Sequence, residues 1–190
     1  MLLTNEGDTK LKIRLQTTNF SEKNHIKLQD AINHMAIALS SNVFKEFVLN
    51  FSYKIKVCRG TRPCRTCKTV TRYGMSYNDL DEQKNLTQHQ IYEAIMSGGE
   101  RLIPENDQEA DIFLVLDKRY KKGVLGYTYP STVKQWIYKS FFIDATYKEV
   151  SQNLTHEWMH KIGFGHPSKK TSTRKYSVPY ACGYFVRDYK

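Results

Sequence analysis

Hydrophobic and polar side chains alternate from Leu11 to Thr17, the period of a half-buried strand. The rhythm then changes. From about Glu22 to Leu49 the apolar positions Ile32, Met35, Leu39, Val43 and Phe47 recur three or four residues apart, predicting one long amphipathic helix packed on a sheet. Phe51 to Val57 reads as the next strand. Thr87 with Gln90 forms a capping box for a short helix through Met96, ended by Gly98-Gly99. Three strands are expected in quick succession after it. Asp111 to Leu116 is a short apolar run, Val124 to Tyr129 follows a glycine, and Gln135 to Ile143 is rich in β-branched and aromatic residues. A second capping box, Thr146 with Glu149, opens a helix that runs through residue 156. The order predicts an α+β fold.

At 190 residues the chain is the size of one domain, so residues 1–190 are expected to share a core and to form a monomer. A hydrophobic content of 40%, with 13% aromatic residues, argues for a folded protein, and no stretch is apolar enough to span a membrane. Met1 to Asp8 lacks the basic-then-apolar pattern of a signal peptide. The expected location is therefore cytoplasmic, or one reached by a non-classical release or delivery route. The net charge of +10 is clustered. One cluster, Lys54, Lys56, Arg59, Arg62, Arg65, Lys68 and Arg72, lies in a segment with no acidic residue from Phe51 to Asn78. Lys118-Arg119-Tyr120-Lys121-Lys122 and Lys169-Lys170 through Arg174-Lys175 are two more. Such patches either attract a polyanion, nucleic acid or an acidic surface, or serve as a solvated face. No groove-reading motif accompanies them.

The most specific string is His156-Glu157-Trp158-Met159-His160-Lys161-Ile162-Gly163-Phe164-Gly165-His166, an HExxHxxGxxH run. On a helix His156 and His160 stand one turn apart on one face, and Glu157 projects about 100° round from them. Gly163 can take the left-handed conformation that ends a helix, which lets the chain double back and deliver His166 as a third ligand. Three imidazoles with a fourth position left for water is the arrangement of a catalytic zinc. HExxH alone arises by chance on amphipathic helices. The added Gly163 and His166 make chance less frequent, and three of the chain's six histidines fall within these eleven residues. His25, His34 and His89 are scattered and read as structural or exposed.

On this motif the chain resembles the metzincin clan of zinc metallopeptidases. The resemblance covers about two thirds of the chain and implies a zincin/metzincin-like α+β fold. In that fold a mixed twisted sheet of about five strands packs on two long helices, one of which carries HExxH. A Cys-rich basic insertion would occupy residues 58–110. The resemblance further implies that His156, His160 and His166 bind one catalytic Zn2+, with Glu157 as general base, in an endopeptidase acting on protein or peptide substrates. The clan places a methionine turn, Ser-x-Met-x-Tyr, beneath its metal. The match here is Ser177-Val178-Pro179-Tyr180-Ala181-Cys182-Gly183, a minimal form without the methionine. Aligned on the serine, Pro179 stands in its place; aligned on the tyrosine, Val178 does, and Tyr180 matches a tyrosine near the metal. Tyr180 is then either a donor to the developing oxyanion or a packed tyrosine. Gly126, Tyr127 and Thr128 would belong to an edge strand above the cleft, to which a peptide substrate adds as an antiparallel strand.

Cys58-x5-Cys64-x2-Cys67, with Cys182, admits three readings. The four thiolates hold a second, structural zinc; or they form disulfides, which call for an oxidising destination; or they are free, and one blocks the catalytic metal. Arg62-Pro63-Cys64 faintly resembles the matrixin inhibitory switch in the last case. Two other functions stand beside the peptidase. One is a DNA-associated metalloprotease resembling the Spartan-like crosslink proteases, and the other is a non-catalytic binding protein that keeps zinc as a staple.

Overall fold

The structure is a computed structural model that describes residues 10–60, 66–76, 78–79 and 86–190. Strand β1 (Lys12–Thr18) leads into helices α1 (Glu22–Leu39) and α2 (Asn42–Leu49), and β2 (Ser52–Arg59) and β3 (Thr66–Tyr73) form an antiparallel ribbon. Then come β4 (Asn78–Asp79), α3 (Gln88–Ser97), β5 (Glu109–Asp117), β6 (Gly126–Thr128), β7 (Lys134–Tyr138) and α4 (Lys139–Asp144). The chain finishes with α5 (Tyr147–Ile162), β8 (Phe164–Gly165), a 3-10 turn at Arg174–Tyr176 and α6 (Val178–Asp188). The architecture is α+β, with a mixed sheet and six helices among the described residues.

The sheet runs β1-β5-β7-β6, with β1, β5 and β7 parallel and β6 antiparallel at the edge. Its central strand β5 buries Ala110, Ile112, Leu114 and Leu116, as a parallel strand flanked on both sides must. One hydrophobic cluster joins these to Leu28 and Met35 of α1, Ile91 and Ile95 of α3, Ile137 of β7 and Trp158 of α5. Each fully buried aliphatic side chain there stabilises the fold by about 1.5–3 kcal/mol.

Three elements differ from expectation. The helix expected from Glu22 to Leu49 breaks after Leu39, because the Ser41 hydroxyl accepts a hydrogen bond from the Phe44 amide and caps a new helix. The strand at residues 51–57 does not join the main sheet. It pairs with β3 in a separate ribbon whose Lys54, Lys56, Arg59, Lys68 and Arg72 are all exposed, so the main sheet has four strands instead of about five. The strand expected from Gln135 to Ile143 ends at Tyr138, and Lys139–Asp144 turns into a short helix that buries Phe142. No helix among the described residues is long and apolar enough to cross a membrane.

Two buried polar contacts set α5 against its neighbours. Ser151 Oγ donates to the Ala31 carbonyl of α1 at 2.8 Å. Glu100 Oε1 accepts from both Trp158 Nε1 on α5 and the Asp111 amide on β5, while Oε2 is buried without a partner. Burial pushes the Glu100 carboxyl up to about 7, and the two donated hydrogen bonds oppose the rise. From the ordinary carboxylate range up to about 7, the folded chain therefore keeps a proton that the unfolded chain has released. Stability from this group must fall as pH rises through that interval. In urea unfolding at pH 5 and pH 8, Glu100→Gln is expected to lessen the wild-type decline by on the order of 1–2 kcal/mol. Equal declines in the two proteins would remove Glu100 as its source.

Candidate metal centre

Helix α5 starts where its sequence says it should. The Thr146 hydroxyl accepts from the Glu149 amide, and the Glu149 carboxylate accepts from the Thr146 amide at 2.8 Å. At the other end Gly163 takes φ 118°, a value that L side chains rarely adopt, and its amide donates to the Met159 carbonyl. The turn sends Phe164–Gly165 into a short pairing with Asn78–Asp79 and brings His166 back over the helix.

The three imidazoles converge. Their ligand atoms all lie within 4.8 Å of one another, with ring centroids 4.9–5.2 Å apart. Each ring is oriented by a carbonyl: His160 Nδ1 meets Phe164 O at 2.7 Å, His166 Nδ1 meets Pro167 O at 3.2 Å, and His156 bonds to the carbonyl of Pro179. A carbonyl only accepts, so Nδ1 of His160 and His166 carries the proton and Nε2 the lone pair, an assignment made from these partners. His156 Nε2 and His166 Nε2 then face each other at 3.3 Å. Two nitrogens that each lie about 2.0–2.1 Å from a tetrahedral zinc are about 3.3–3.4 Å apart. Burial holds His160 down at about 4 and His156 well below the usual imidazole range, and the neighbouring imidazoles and Arg174 add to the effect. His166 is lowered as well, again by burial first. All three are thus neutral near pH 7, the form that binds a metal. The cluster can hold a metal ion.

Glu157 is buried beside them, and burial pushes its carboxyl up to about 8 against the pull of Lys161. Lys161 Nζ donates to the carbonyls of Tyr129, at 3.1 Å, and Thr132, which ties the loop after β6 to α5. Between β6, α5 and α6 lies a cleft of about 490 Å³ lined along one wall by His156, Glu157, His160 and His166. Among the described residues strand β6 pairs only with β7, and its other edge borders this cleft. A Cβ on Gly126 would stand 2.5 Å from both Asn153 Oδ1 on α5 and the Trp136 carbonyl, so the close approach of edge strand and helix requires glycine. The Tyr127 side chain is engaged elsewhere. Its hydroxyl donates to Asp117 Oδ2 at 2.8 Å and its ring stacks on Trp136, while Thr128 Oγ1 donates to the Lys134 carbonyl. The strand therefore presents mainly backbone to the cleft.

The segment Ser177–Tyr180 runs beneath the histidines as the first turn of α6. Val178 is fully buried, its amide donating to Ser76 O at 2.9 Å, and the Pro179 carbonyl orients His156. Tyr180 packs its ring 4.5 Å from that of His156 and 4.9 Å from that of His166. Helix α6 comes this close to α5 at Gly183, where a Cβ would lie 3.0 Å from Gln152 O.

The cysteines do not assemble a thiolate site among the described residues. Cys58 and Cys67, direct partners across the ribbon, form a disulfide, and Cys182 is a free thiol buried in α6 whose pKa burial pushes up. Their strands and helix belong to different parts of the fold, so the four-cysteine zinc is set aside. Cys64 and the Arg62-Pro63-Cys64 switch lie outside the described residues. Several cleft residues went unforeseen, Gln152, Tyr184 and Arg174 among them. Arg174, expected in a solvated basic patch, lines the cleft with its guanidinium 5.1 Å from the Tyr180 ring. Its place in a basic run hid it, and its position eight residues after His166, in the stretch returning toward α6, was the only signal. No protein-family model, no curated protein and no solved structure matches the chain.

Proposed function

We propose that the chain is a zinc-dependent endopeptidase of metzincin type. The observation that carries this reading is the convergence of three carbonyl-oriented, neutral imidazoles whose ligand atoms lie within 4.8 Å of one another, with a buried carboxylate beside them and an edge strand across the cleft. His156, His160 and His166 would hold a zinc ion, which when bound would supply a Lewis acid for the scissile carbonyl and lower the pKa of water to roughly 7. Glu157 takes the proton of the attacking water. It then returns that proton to the leaving amine nitrogen, as its raised pKa permits near neutral pH. The backbone of Gly126–Thr128 aligns an extended peptide by hydrogen bonds, and Lys161 keeps the following loop from drifting. Tyr180 orients the His156 and His166 rings by contact and offers its hydroxyl to the oxyanion.

Elemental analysis of protein purified without added metal is expected to find about one zinc per chain. A chelator should abolish hydrolysis of a quenched fluorescent peptide library, and zinc should restore it. Protein that carries no zinc and cannot be reloaded would end this reading.

A further inference from the structure

Arg174 is held in place from several directions. Its amide donates to Thr171 O, its carbonyl accepts from the Ser177 amide and hydroxyl, and Nη1 donates to Ser168 O at 3.1 Å. The guanidinium lies over Tyr180, which in turn packs on two of the three histidines. Nε is buried with no hydrogen-bond partner, and no carboxylate among the described residues pairs with this side chain. Glu157, the one acidic residue among those lining the cleft, follows His156 on α5 and forms no ion pair with Arg174. A permanently charged, immobilised fork with an unsatisfied donor beside the catalytic groups costs free energy until an anion reaches it.

We propose that Arg174 is a specificity-determining residue that takes a carboxylate of the peptide substrate. This rests on the peptidase reading and deepens it. Planar, bidentate recognition of a carboxylate is what a guanidinium does best, and a peptide brings one either as an Asp or Glu side chain or as its C-terminus.

The test is binding to zinc-loaded full-length protein carrying Glu157→Gln, which prevents turnover. The probes are four fluorescein-labelled octapeptide pools with randomised flanks, bearing Glu or Gln at one central position and ending in a free acid or an amide. Fluorescence anisotropy is expected to show about tenfold tighter binding of one carboxylate pool than of its carboxamide counterpart. Whether the Glu or the free-acid pool shows it identifies the side chain or the terminus as the source. Adding Arg174→Gln should reduce the ratio to about one with zinc content unchanged, and Arg174→Lys should keep part of it. No preference in the reference protein, or a preference that survives Arg174→Gln, overturns the proposal. Cleavage by wild type is scored separately. Cleavage without carboxylate preference leaves the peptidase and removes this role, whereas preference without cleavage leaves a carboxylate-binding site and removes the peptidase.

Discussion

Replacing Glu157 with glutamine is expected to lower peptide hydrolysis by about a thousand-fold while zinc content stays at the wild-type level. Glutamine keeps the volume of a side chain that is only 6% exposed, so the helix should fold as before. It cannot accept the water proton, and the raised pKa that suits the carboxyl to that task goes with it. Lys161 retains its two carbonyl acceptors, which limits the cost of losing the neighbouring acid. Steady-state rates and metal analysis on the same preparation decide the matter. Undiminished hydrolysis would place the base elsewhere, and a wild type that binds zinc but cleaves nothing would be a metal-stapled binding protein.

His160→Ala should lose both the zinc and the activity. It removes one of the three converging rings, together with the Phe164 contact that steadies the turn after Gly163. The effect on stability should appear through linkage. A ligand present at about a hundred times its dissociation constant stabilises the folded state by about 2.7 kcal/mol, so wild-type melting should rise with added zinc. The melting temperature of the variant should not respond, and its far-ultraviolet circular dichroism should match that of the metal-free wild type. A variant that still holds one zinc and melts with the same dependence would mean that His160 is not a ligand.

What could be read from the sequence was local. Both capping boxes, Thr87 with Gln90 and Thr146 with Glu149, form as their spacing requires, because each is closed within one helical turn. The helical placement of His156 and His160, and the left-handed Gly163 that returns His166, follow from the same short-range rules. The break at Ser40-Ser41 is hidden because the apolar stripe continues across it, and the Ser41 side chain's capture of the Phe44 amide starts a new helix there. Pairing partners were not legible at all. Nothing in the alternation of residues 51–57 says that its neighbour is Thr66–Tyr73 and not the main sheet, since period two fixes a face and not a partner. The Glu100 tether spans 58 residues to Trp158, and Arg174 reaches the cleft through a turn with no hydrophobic period.

The register of the central sheet bears on how such a chain comes together. Strand β1 lies beside β5 with Lys12 opposite Glu109 and Arg14 paired to Asp111 across 97 residues, so two helices, a ribbon and a third helix must be looped out before that edge closes. The three clustered histidines need no such arc, because they lie on consecutive turns of one helix and the bend that follows. Helical turns form within about a microsecond, whereas distant strand pairing takes about milliseconds to seconds. The histidine cluster is therefore local in sequence, whereas the sheet is closed by a contact that spans 97 residues, and the two form on separate timescales.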